Sequence, residues 1–166
     1  MLFRSFKVTI VARGMAGGFT RSLPSDDRRL QDRSYYEAMM AQALGGHVAE
    51  ELMFGEPTTG AHNDIGKVTN IAREMVTQWG MSERLGPRTF GRRESMVFLG
   101  RDIAEQRDYS ERTAEEIDEE VRRIIDEAHL LCRSVMSAHK DKLEELANAL
   151  IEAETLEGDE LDRKST

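Results

Sequence analysis

Residues able to hold a metal or move a proton gather in one stretch of this 166-residue chain: His47, Glu51, His62 and Asp64. Imidazole nitrogens and carboxylate oxygens are the ligand types from which zinc takes three, leaving a fourth position open for water. In "HVAEE" His47 and Glu51 stand at i and i+4, on one face of a helix. That is ligand spacing, one residue short of the H-x-x-E-H pattern of a zinc peptidase class, with Glu51 in the place of the second histidine. Asp64 falls where the polar turn "TTGAHN" becomes helical. A carboxylate there also has a plainer use, since it meets unpaired backbone donors and the helix dipole for about 0.3–1 kcal/mol. A histidine on the edge of an apolar helix face, beside ordinary glutamates, likewise needs no ion.

Other chemistry is poorly served. His129 and His139 lie far down charged helical segments and read as surface residues. Cys132, the single cysteine, falls on an apolar helical face, reads as a buried small side chain in a reducing compartment, and has no activating base indicated nearby. The glycine-bearing segments "RGMAGG" and "FLGRD" lack the G-x-x-x-x-G-K-[ST] order of a nucleotide-phosphate loop.

The elements that must position these residues are mostly helical. Residues 7–12 read as a strand, the glycines of "GMAGGFTRSL" as a turn, and Phe19 to Leu23 as a second extended segment, giving a small N-terminal strand pair and no further strand. Pro24 and "SDDRRLQDR" read as an exposed connector. Ser34 and Glu37 form a capping box opening a helix that runs to Phe54 and stops at Gly55. Met40, Leu44, Val48 and Leu52 make its stripe. Gly45 and Gly46 inside it point either to close backbone approach or to a kink. Ile65, Val68, Ala72, Met75, Val76 and Trp79 mark a second helix closed by Gly80, with His62 or Asn63 at its start and Asp64 in its first turn. "MSERLGPRTFGRRESMVFLGRD" reads as an ordered surface excursion. From Ser110 the steps of four and three through Ile117, Val121, Ile124, Ala128, Leu131 and Val135 form a heptad seam. A fourth helix, Lys140 to Ala153, brings Leu143, Leu146, Leu150 and Ile151 to pack, and Thr155 opens a short capped turn.

Length and composition bound the rest. With 39% hydrophobic and 33% charged residues, the chain has enough for one domain with a core. Of the net charge of −8, the surplus of acid lies after residue 46, where 16 Lys or Arg face 27 Asp or Glu. No basic stripe is present, so nucleic acid is not an expected partner. No run reaches about 18 apolar residues, and "MLFRSFK" is too short for a signal peptide, so the chain reads as soluble.

Taken together, "KVTIVARG", "GGFTRSLP", "ALGGHVAEELMFGEPTTGAHNDIGKVTNIAREMVTQWGMSERLGP", "VFLGRD" and "YSERTAEEIDEEVRRII" closely resemble the peptidase domain of the FtsH family of membrane-anchored, ATP-dependent zinc metalloproteases. The resemblance spans residues 7–161, with 1–6 an atypical start, and marks 1–166 as a partial metallopeptidase domain. It implies a mainly α, FtsH-type peptidase domain with a small strand pair, lacking its first helix. That helix carries the family's H-E-x-x-H, two zinc ligands and a glutamate base, and no such motif occurs here.

Asp64 then corresponds to the third zinc ligand. His47, Glu51 and His62 are alternative ligands of an improvised divalent site, His47 standing for a usual arginine and His62 for a usual small residue. Phe19, Thr20 and Arg21 correspond to an edge strand that binds extended protein substrates. The resemblance further implies zinc in the intact family, ATP only through an ATPase module outside this chain, hexameric rings, and a place on the cytoplasmic side of a membrane reached through upstream segments. The chain itself reads as a fragment, inactive alone and possessed of no certain metal. The alternative is a non-catalytic interaction module that complements or caps a peptidase ring.

Overall fold

The computed structural model describes residues 3–12, 18–24, 30–91, 108–158 and 161. Among them are five α-helices and a small antiparallel sheet: β1 (Phe3–Thr9), β2 (Phe19–Pro24), α1 (Arg33–Ala43), α2 (Gly45–Phe54), α3 (His62–Thr77), α4 (Glu111–Ala138), α5 (Lys140–Ala153) and β3 (Thr155–Glu157). A single 3-10 turn, Thr59–Ala61, leads into α3. The chain divides into two compact units, one made of Met1–Gln31 with Arg133–Thr166, the other of Asp32–Cys132.

In the first unit β1 lies between β2 and β3, antiparallel to both, with Val8 opposite Thr20 on one side and Leu156 on the other. The strand begins at Phe3, ahead of the residue 7 that its alternation suggests. The capped turn expected at Thr155 is instead the third strand. Three residues are too few to show a period, and the strand exists because tertiary partners are available. Thr9 Oγ1 lies 2.7 Å from Thr155 Oγ1, and the Glu154 carbonyl accepts from the Ile10 amide at 3.0 Å and from Thr9 Oγ1 at 3.1 Å. A Cβ on Gly18 would sit 2.5 Å from the Thr9 carbonyl oxygen, so glycine is what lets the chain close against β1 there. Leu150, Leu156 and Leu161 form the core, with Val8, Leu146 and Ala149 packed on it. Ile151, expected inward, is 71% exposed because it is turned about 100° around α5 from Leu150.

The second unit opens with a different cap from the one expected. Asp32, not Ser34, is the N-cap: its carboxylate accepts from the Tyr35 amide at 2.9 Å and from Ser34 Oγ at 2.8 Å. Glu37 instead pairs with Arg33, one turn back, at 2.7 Å. The single helix expected through Phe54 is broken at Leu44, which ends α1 and begins α2 with φ −73° and ψ −7°. Among the described residues nothing beyond the adjoining helical backbone lies within 4 Å of a Cβ built on Gly45 or Gly46, so these glycines accompany the break and meet no close backbone neighbour there. Gly55, at φ 84°, closes α2 as expected, its amide bonded to the Glu51 carbonyl.

The α3 stripe is realised in Val68, Ala72, Met75 and Val76, all buried, and α1 packs against α3. Trp79 stays partly exposed and stacks on Tyr36 at a centroid distance of 4.3 Å. Gly80 has φ 61°, and a Cβ there would press on Pro87 Cα at 2.9 Å. Of the surface excursion, Met81–Gly91 is irregular, and 92–107 lie outside the described residues, as does most of the connector after Pro24.

Ser110 caps α4 by accepting from the Thr113 amide. Ile117, Val121, Ile124 and Ala128 are buried as the seam requires, but burial continues at Cys132 while Leu131 and Val135 are exposed. A straight helix of 3.6 residues per turn drifts off a heptad seam, and α4 keeps the helical period. Within the charged run, Glu120 points inward and is only 1% exposed. Its carboxylate accepts from Ser82 Oγ at 2.9 Å and from Arg123 Nε and Nη2 at 2.9 and 2.8 Å. The bonds from Arg123 hold it below the usual carboxylate range.

Arg123→Met would leave that carboxylate buried with Ser82 as its remaining hydrogen-bond donor among the described residues. The expected loss is about 2–3 kcal/mol, below the usual cost for a fully buried pair because the guanidinium is partly exposed, read from urea denaturation. Gly46→Ala, by contrast, should be neutral or stabilise by up to about 1 kcal/mol in the same measurement, since its site is helical and open.

Candidate metal centre

Two places in the second unit carry the chemistry raised by the sequence. The first is the start of α3. The chain leaves α2 at Gly55 and is caught again at Thr58, whose amide and Oγ1 both donate to Glu50, at 2.6 and 2.9 Å. Thr58 Oγ1 in turn accepts from the Gly60 amide, capping the 3-10 turn. Helix α3 follows directly, with His62 its first residue and Asp64 in its first turn. The Asp64 carboxylate is half-exposed, and Lys67 Nζ donates to its Oδ1 at 2.9 Å. His62 is exposed.

The hydrogen bonds from Thr58 hold the Glu50 carboxyl below its ordinary value of 4.5. A depressed carboxyl stabilises the fold above the unfolded-state value, and that stability is lost as pH falls through the lower folded-state value. The turn that carries Asp64 is therefore secured at neutral pH and released by acid. Followed by NMR, the Thr58 amide shift should titrate with a midpoint below 4.5, and in Glu50→Gln that titration should vanish.

The second place is a cluster joining α2 to α4. His47 Nε2 lies 3.2 Å from Glu51 Oε1, and His129 Nε2 lies 3.2 Å from Glu51 Oε2. The two imidazole rings stand 6.1 Å apart at 66°. The three side chains are 21%, 23% and 30% exposed, in the order His47, Glu51, His129. Among the described residues they are the group of three whose ligand atoms all lie within 4.8 Å of one another. His47 Nδ1 is buried and has no hydrogen-bond partner there. Cys132, one turn beyond His129, is buried, and burial together with the charge of Glu51 pushes its thiol up, which disfavours a nucleophilic thiolate.

Of the sequence candidates, the structure brings His47 and Glu51 together and places His62 and Asp64 outside their group. His129, read from sequence as a surface residue, is partly buried against Glu51. A partner 78 positions away on another helix leaves no local signal. Its one hint is position, between Ala128 and Cys132 on the inward side of α4. Phe19, Thr20 and Arg21 lie on β2, which is an edge of the sheet, opposite Thr9, Val8 and Lys7.

A single carboxylate already paired with lysine does not fit zinc, which takes three protein ligands, and no histidine joins Asp64 in such a group among the described residues. The residues at the start of α3 thus offer one ligand and not a complete site.

The sequence that builds these elements has relatives among the metallopeptidases. Residues 4–163 match Peptidase family M41. Over 156 residues the chain is 56% identical to the ATP-dependent zinc metalloprotease FtsH 1 of Thermomicrobium roseum and 54% identical to FtsH 1 of Sphaerobacter thermophilus, in each case over 94% of this chain and 24% of the relative. It is 49% identical over 160 residues to FtsH 3 of a Synechocystis species, covering 93% of this chain and 26% of that protein. The chain belongs to peptidase family M41, and it spans about a quarter of the length of these relatives. Each of these relatives is named an ATP-dependent zinc metalloprotease. Among the described residues no helix is long and apolar enough to cross a membrane.

Proposed function

We propose that this chain is the C-terminal portion of an ATP-dependent zinc metalloendopeptidase and contributes the Asp64 carboxylate as third ligand to a zinc whose two histidines and general base come from an H-E-x-x-H segment outside these 166 residues. The observation that carries the reading is the placement of Asp64. A carboxylate in the first turn of a 16-residue helix, with the preceding turn fixed through Glu50 and Thr58, is held on a rigid support while remaining reachable from solvent. Lys67 is the group an incoming ion would displace. Alone, the chain hydrolyses no protein, because one carboxylate neither retains zinc nor supplies a base.

In the intact assembly zinc would be the resident metal, and ATP would act through a module that the chain does not contain. Protein substrates would add as a strand along Phe19, Thr20 and Arg21 at the β2 edge. Ring assembly as a hexamer would use helical surface, to which the exposed Val135 of α4 contributes apolar area. Membrane attachment on the cytoplasmic side would come through other segments of the protein.

The test is a chimera in which this chain replaces the matching segment of the Thermomicrobium roseum relative, assayed for ATP-dependent casein hydrolysis. The chimera should be active, and Asp64→Asn should lower its rate about 100-fold or more, as loss of a zinc ligand does. Hydrolysis at the parent rate by the Asp64→Asn chimera would sink the assignment.

A further inference from the structure

We infer that His47, Glu51 and His129 form a second, independent zinc site that clamps α2 to α4. Ligands held about 2.0–2.1 Å from a tetrahedral zinc stand about 3.3 Å from one another. His47 Nε2 lies 3.2 Å from Glu51 Oε1 and His129 Nε2 3.2 Å from Glu51 Oε2, each close to the spacing of neighbouring ligands, so the carboxylate stands between the two nitrogens and one of its oxygens can join both around one ion after a small rotation. The remaining separation, between the two histidines, is no more than 4.8 Å, and side-chain rotation closes the difference.

The donor chemistry selects the ion. Two imidazoles and one carboxylate suit zinc and similar first-row divalent ions, whereas calcium and magnesium prefer oxygen alone. The backbone supplies rigidity: His47 and Glu51 are one turn apart on α2, and His129 sits mid-way along the second half of the 28-residue α4.

Without an ion, both rings must present N–H to the same carboxylate. Among the described residues nothing bonds His47 Nδ1, so no protein group there fixes which nitrogen of the ring carries the proton, and Nε2 is free to present its lone pair to an ion. The partial exposure of all three side chains leaves a path for the ion and room for water as a fourth ligand. Asp64 and His62 take no part, so the site stands or falls separately from the peptidase reading.

The experiment is calorimetric titration of zinc chloride into the metal-free 166-residue chain, beside His129→Phe, Glu51→Gln and Asp64→Asn. One equivalent should bind with micromolar or tighter affinity. His129→Phe and Glu51→Gln should each weaken binding at least tenfold, and Asp64→Asn should leave it unchanged. Because the ion binds only the folded chain, a hundredfold excess over Kd should raise Tm by about 5–10 °C in the unmodified chain and in Asp64→Asn, but not in His129→Phe. Should His129→Phe fail to fold, the imidazole resonances of the unmodified chain decide: zinc should shift those of His47 and His129 and spare His62 and His139. Binding no tighter than millimolar, binding lost in Asp64→Asn, or shifts confined to His62 or His139 would each overturn the proposal.

Discussion

A carboxylate buried in the second unit sets the terms for much that surrounds it. Glu120 is almost fully enclosed, and an ionised group there is tolerable only if its oxygens are bonded. Arg123, one turn along α4, supplies two bonds, and Ser82, from the segment that follows α3, supplies another. Ser82 also accepts from the Leu85 amide, so the same serine shapes the turn that it anchors. Apolar burial along α4 is non-directional and would tolerate sliding by a turn. The Glu120 bonds are directional and fix one register, which also sets where His129 lies two and a half turns further on.

The start of α3 obeys a related constraint from the opposite direction. Its N-cap residue, Ala61, offers no side-chain cap, and the chain approaches it through an irregular turn with few apolar anchors. The anchor is polar: Glu50 grips Thr58, and Thr58 caps the 3-10 turn. Asp64 thus needs no packing of its own to hold position. That suits a ligand, because its side chain is left with one displaceable lysine and access to solvent.

The helices and their inward faces were legible in the sequence wherever apolar residues recur at the helical period, as in Val68 to Val76 and Ile117 to Ala128. Boundaries set by a single polar competitor were less so. Asp32 and Ser34 are both good caps, and only the fold shows that the aspartate takes the Tyr35 amide. The break at Leu44 carries no periodic signature, since apolar residues continue through it. β3 is three residues long and depends on Thr9 and Glu154 for its existence. At the candidate sites, the placement of Asp64 at a helix start and the pairing of His47 with Glu51 followed from local spacing. The approach of His129 to Glu51 is a long-range contact that no local pattern encodes.

Helix α2 links the two places where a metal can be argued. Adjacent residues on a helix point about 100° apart, and the two neighbouring carboxylates of α2 divide accordingly. Glu50 reaches Thr58 and the turn that leads to Asp64, while Glu51 lies between His47 and His129. Val48, fully buried, fixes the rotation of the helix between them. Leu44 joins α2 to α1, its amide donating to the Met40 carbonyl and its own carbonyl accepting from the Val48 amide. An ion held by Glu51 would restrict the same short helix that secures the turn before Asp64. The two sites share no ligand, yet they share the element whose position each requires.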